Sequence, residues 1–162
     1  MAIHFATFSA VAVTLAQDLF EITAPTASPV EIREITIGQY SDFADAQAEL
    51  ISIQLIRGYT VSGSGGSTLT PATRTGFTSA TAAASVVKAN NTTVANTGTA
   101  SILVADSFNV AAGWVYRPLR REGIVIRPGI RLVCRITAPV DAITMNGTIV
   151  FDELGIDNHK PV

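Results

Sequence analysis

The side chains best suited to metal ligation or nucleophilic chemistry are two histidines and one cysteine, and their placement argues against both. His4 and His159 stand near opposite ends of the 162-residue chain and Cys134 is the lone thiol, so none falls at the spacing of a transition-metal site. Both histidines are expected at the surface. Serine, histidine and aspartate all occur, but there is no Gly-x-Ser-x-Gly elbow to expose a nucleophile. Asp152-Glu153 and the pair Asp42 and Asp45 supply neighbouring carboxylates, the residue type glycoside hydrolysis uses; on an edge or loop such pairs are ordinary solvated acids. Residues 62–67, Ser-Gly-Ser-Gly-Gly-Ser, have the glycines of a phosphate loop without its Gly-Lys-[Ser/Thr] ending, and read as a flexible linker. Trp114 and Tyr116, followed by Arg117, Arg120 and Arg121, could form an aromatic, cationic platform for sugar or single-stranded nucleic acid. The competing reading, core aromatics beside a charged turn, is preferred. No enzyme and no cofactor are expected from these residues.

A second charged pattern lies in residues 130–137. Side chains alternate across a strand, so Ile130, Leu132, Cys134 and Ile136 share one face while Arg131, Val133, Arg135 and Thr137 share the other. The first face is expected to be buried, with Cys134 as a small core hydrophobe. The second presents Arg131 and Arg135 either to water or, the reading favoured here, to acidic residues of a neighbouring subunit. Charge is unevenly spread along the chain. Six of eleven basic residues fall between Arg117 and Arg135, whereas seven of thirteen acids precede position 50.

The elements that must position these residues are strands. Period-two alternation recurs at 3–14, 18–24, 30–39, 50–59, 100–110, 114–116 and in the stretch 123–151, and no long amphipathic helix interrupts it. In the fourth of these strands Ile51, Ile53 and Leu55 form the inner face; in the third, Ile35 and Ile37 share a side with Arg33. Pro25, Pro29, Pro128-Gly129 and Ala138-Pro139 mark turns. Eight or nine strands with uneven connections predict an all-β protein: an antiparallel β-sandwich, of jelly-roll type, as one domain over 1–162. Residues 62–81 are expected to be a flexible loop and 155–162 a loose tail.

Charged residues make up 15% of the chain and hydrophobic residues 48%, so much of the solvated surface must be small and uncharged. That balance predicts a homo-oligomer or a larger assembly, with some surface hidden. A net charge of −2 argues against nucleic acid as partner. No stretch is long and apolar enough for a membrane helix, and the N-terminal residues lack the charged start of a signal peptide, so no membrane partner is expected. The expectation is synthesis in the cytoplasm.

Three stretches, Phe8-Ser-Ala-Val-Ala-Val, Ile37-Gly-Gln-Tyr-Ser-Asp-Phe-Ala-Asp-Ala-Gln-Ala-Glu and Ile149-Val-Phe-Asp-Glu-Leu-Gly, together resemble a family of small virion structural proteins of tailed bacteriophages and prophages. Ser107-Phe-Asn-Val-Ala-Ala-Gly-Trp and Pro128-Gly-Ile-Arg-Leu are similar as well. The resemblance spans nearly the whole chain and brings no catalytic residue with it. It implies a trimeric jelly-roll subunit on the capsid surface, a decoration or cement protein whose partner is the major capsid protein or another virion component. On that reading the excursion at 38–49, with Tyr40 and Phe43, joins Arg131 and Arg135 as a subunit or capsid interface. The alternative is a receptor- or carbohydrate-binding module of a head or tail fibre, centred on Trp114 and Tyr116.

Overall fold

Alternation of apolar and polar residues is realised as strand throughout. The computed structural model describes residues 2–41, 49–74, 82–119 and 122–155, and among them there is no helix. Twelve strands follow in order: β1 (Ala2–Val13), β2 (Gln17–Thr23), β3 (Val30–Gln39), β4 (Leu50–Val61), β5 (Ser67–Leu69), β6 (Ala72–Thr73), β7 (Val86–Asn91), β8 (Asn96–Asn109), β9 (Trp114–Tyr116), β10 (Val125–Ile126), β11 (Arg131–Ile136) and β12 (Ile143–Glu153). They form two antiparallel sheets. The first runs β10-β3-β12-β1-β6, with β9 also on β3; the second runs β5-β7-β2-β11-β4-β8.

The sheets face each other across one apolar core, so the protein is a β-sandwich. Phe8, Ile35, Ile149 and Phe151 of the first sheet meet Phe20, Ile53, Leu55 and Leu132 of the second. Burying each such side chain contributes roughly 1.5–3 kcal/mol. The pairings nest: β1 with β12, β2 with β11, β3 with β9 and β10, and β4 with β8. The chain is thus wound as one long hairpin folded over on itself, with β5, β6 and β7 inserted after β4.

Several expectations are corrected here. Ile130 is 36% exposed and does not share the buried face of Leu132, Cys134 and Ile136. It sits in a turn closed by its N–H on the Arg127 carbonyl, with Gly129 at φ +73°, so the strand begins only at Arg131. His4 is 1% exposed, not a surface residue, because it faces inward with Ala6 and Phe8, its ring 5.3 Å from that of Phe151. Arg33 lies opposite Ile35 and Ile37, on the outer face: it is the extra residue of a bulge, since Val150 pairs with Glu34 and Phe151 with Ile32. The described part of the expected loop at 62–81 carries β5 and β6 and a bridge between Ser64 and Thr93. Its glycines serve close packing: a Cβ on Gly66 would lie 2.1 Å from the Ala89 carbonyl oxygen.

Candidate functional site

Arg131 and Arg135 sit on β11 between β2 and β4, on the face of the second sheet that points away from the core. Their partners are acids of the same chain, not those of a neighbouring subunit: β2 is the adjacent strand and carries Asp18 and Glu21 on that face. Arg135 donates from Nε to Asp18 Oδ1 at 2.7 Å, from NH2 to the Ala95 carbonyl at 2.7 Å, and from NH1 to the Tyr59 hydroxyl at 3.0 Å. Its guanidinium also stacks on the Tyr59 ring. Arg131 Nε lies 3.1 Å from Glu21 Oε1, and NH1 donates to the Tyr59 carbonyl.

Both acids are almost fully enclosed and also receive backbone donors from two loops. Glu21 Oε2 accepts from Gly63 N–H at 2.8 Å and from Asn91 Nδ2 at 3.0 Å, while Oε1 accepts from the Ser62 hydroxyl at 2.6 Å. Asp18 Oδ2 accepts from Ala95 N–H at 2.6 Å. Lys88 Nζ donates to Ser62 Oγ and the Gly63 carbonyl. Val133, placed with the polar residues on sequence grounds, fills a small second core here with Ile56, Ala95 and Tyr59. Burial raises the Asp18 carboxyl above its usual range, with hydrogen bonds from Arg135 and Ala95 pulling it back. These carboxylates are occupied by donors on every side. Chemically the cluster is a clamp: it holds the loops at 62–66 and 92–95 down on the sheet.

The other candidate residues are scattered. Trp114 is 7% exposed and packs in the core, with Tyr116 partly buried against it; their ring centroids are 6.4 Å apart. Neither offers an open face as a ligand platform, since β9 turns both inward and leaves Val115 outside. Trp114 Nε1 donates to Asp106 Oδ2 at 3.0 Å, which holds that carboxyl below its usual range. Arg117 pairs with Glu34 on the surface. Tyr40 is 56% exposed at the end of β3; Phe43 lies outside the described residues. Asp152 is fully buried and bonded to Arg33, which also reaches Glu31, so it is no solvated acid. Among the described residues no three His, Cys, Asp or Glu side chains are grouped to hold a metal, and no helix is long and apolar enough to cross a membrane.

No protein-family model, no curated protein and no solved structure matches the chain. Its surfaces must therefore speak for themselves, and two stand out. On the outer face of the first sheet, Thr7, Ser9, Thr36, Asn146 and Thr148 line a shallow cavity of about 290 Å³. It opens where Gly38 faces Asn146 without a side chain and where Ser9 and Ala10 bulge from β1, with Ala10 at φ 58° and its N–H on Asn146 Oδ1. The second surface is β8. It closes one end of the second sheet, paired among the described residues with β4 alone, and its residues 96–102 are all exposed. Residues 96–105 carry no charge. The sequence showed strand character there only from position 100, because Asn96-Thr-Gly reads as a turn; Thr97 and Gly98 do take positive φ, but within the strand.

Proposed function

We propose that the chain is a non-enzymatic structural subunit of a tailed-phage virion, a decoration or cement protein that sits on the capsid surface and stabilises the head as a homo-oligomer. The observation that carries this reading is the open edge of β8. Residues 96–105 of that edge carry neither charge nor proline, and no described element covers it, which makes it a template for another chain. Low overall charge supports the same reading. The sequence resemblance supports the virion context, and the trimeric state rests on that resemblance alone. Copies bound side by side would turn weak capsid contacts into avidity. Antibodies raised against the purified chain, applied to virions from its own source and viewed by electron microscopy, test the proposal. Regular labelling of heads is expected; unlabelled particles whose proteins, by mass spectrometry, do not include the chain would refute it.

The cavity on the first sheet favours a second reading, a carbohydrate-binding module. Its lining of hydroxyls and one amide suits a neutral polyhydroxyl ligand, and would place the site there rather than at Trp114 and Tyr116. Glycan-array binding that disappears on Asn146→Ala would support it, and an array without hits would remove it.

A further inference from the structure

We infer that one end of the sandwich, formed by the β1–β2 and β11–β12 connections, the end of β3 and the start of β4, docks on a basic protein surface through Leu15, Tyr40, Leu50 and Val140. The inference rests on reading the chain as a virion subunit and names the face it turns to its partner.

Register brings these residues to the same end. Val13 pairs with Ile143 and Gln17 with Ile136, so residues 14–16 and 137–142 cross from one sheet to the other side by side. Tyr40 N–H donates to the Thr144 carbonyl just beyond that crossing, and Thr137 N–H donates to the Ser52 carbonyl near the start of β4. Val140 N–H donates to the carboxylate of Glu49, the residue before Leu50. All four apolar side chains meet solvent: Val140 is 87% exposed, Leu50 73%, Leu15 59% and Tyr40 56%. Single exposed hydrophobes are ordinary, but four gathered at one end mark an interaction surface.

Charge sets what that surface fits. The segments that link the strands here, 14–16, 40–49, 110–113 and 137–142, contain four acids, Asp42, Asp45, Glu49 and Asp141, and no lysine, arginine or histidine. All eleven arginines and lysines lie elsewhere in the chain. Asp141 is exposed, and Glu49 has one carboxylate oxygen without a donor among the described residues, so its charge is only partly offset. An acidic face with an apolar centre repels nucleic acid and anionic lipid, and complements a surface that sets lysine or arginine around apolar groups.

A second copy does not supply such a surface. Face to face, the same end would set acids against acids. Arg33, Arg117, Arg131 and Arg135 are each already paired with acids of their own chain. The partner is therefore a different protein of the particle.

The test expresses a second gene copy carrying one substitution during virion production, and mass spectrometry of the purified particles reads the share of substituted chain. Val115→Lys, exposed on β9 of the first sheet, should enter in proportion to its expression. Leu50→Lys and Val140→Lys remove apolar contact and set a cation towards a basic partner, so each should enter at least about tenfold less. Val140→Glu removes the same contact but keeps the sign of the face, and should lose less than Val140→Lys. Thermal unfolding of each purified variant should match the parent, since the substituted side chains face solvent. Leu50→Lys and Val140→Lys entering as freely as Val115→Lys, or Val140→Lys entering better than Val140→Glu, would overturn the inference and leave the virion reading standing. Particles containing neither substituted nor native chain would sink the virion reading, and the partner named here with it.

Discussion

Removing Glu21 should release one edge of the clamp on the second sheet. Its side chain is 2% exposed and accepts from Gly63 N–H, Asn91 Nδ2 and the Ser62 hydroxyl while facing Arg131, itself 16% exposed. Glu21→Ala leaves Arg131 without its counter-charge, and breaking a buried pair in this way costs about 3–5 kcal/mol. Two features reduce that figure: Arg131 keeps the Tyr59 carbonyl, and Ser62 keeps the Gly63 carbonyl. Against them, the Gly63 and Asn91 donors lose their acceptor, at about 1–3 kcal/mol for a buried group left unpaired. A loss of about 3 kcal/mol is expected, which for a domain of this size lowers Tm by roughly 6–12 °C. Glu21→Gln keeps an acceptor oxygen and should lose about half as much. Urea unfolding followed by circular dichroism measures the stability, and hydrogen exchange at Gly63 measures the local release, which should rise well beyond the global change. If Glu21→Ala unfolds within about 0.5 kcal/mol of the parent, or Gly63 exchange tracks global stability alone, the clamp does not hold the loop.

Other consequences are smaller or sharper. Gly66→Ala sets a methyl group 2.1 Å from the Ala89 carbonyl oxygen, so β5 must move off β7, and a stability loss of about 2 kcal/mol or more is expected by urea unfolding. Arg117→Ala removes a pair whose arginine is 68% exposed and should change stability by less than about 0.5 kcal/mol in the same measurement. Asp106, held below its usual value of 3.8 first by Trp114 and then by Ser107, contributes stability that is present above that value and lost as pH falls through its lower folded value; Asp106→Asn should flatten the acid limb of the stability curve below about pH 4. Asp18 has the opposite sign, since burial raises it, so its ionised form weighs against folding above its folded value. Burial drives the Cys134 thiol far above the ordinary range, so it should resist thiol reagents in the native state and react only on unfolding.

The sandwich was legible wherever period two runs unbroken: Ile51, Ile53 and Leu55 on β4 and Leu132, Cys134 and Ile136 on β11 face the core as their phase demands. It failed where a bulge adds a residue. In β1 the buried set passes from Ala6 and Phe8 to Val13 across Ser9 and Ala10, and in β3 from Ile32 to Ile35 across Arg33. One extra residue moves every later side chain to the other face, and nothing in the local composition announces it. His4 was missed for a related reason: its type suggests the surface, while its phase with Ala6 and Phe8 places it inside. The polar face of β11 was visible in Arg131 and Arg135. What lay opposite them was not, because that depends on which distant strand becomes the neighbour.

That dependence explains the segregation of charge along the chain. In a nested winding the earliest strands pair with the latest, so Asp18 and Arg135, 117 positions apart, are neighbours on adjacent strands. Acids early and arginines late are then what an intrachain match between β2 and β11 requires, and they argue nothing about a second subunit. The same logic moves the search for an interface to strands that the winding leaves unpaired on one side. β8 is such a strand: nesting supplies it with β4, and no later element of the described chain arrives to cover its other edge. Residues 96–105 of that strand carry no charge, so nothing on that edge would repel a partner strand.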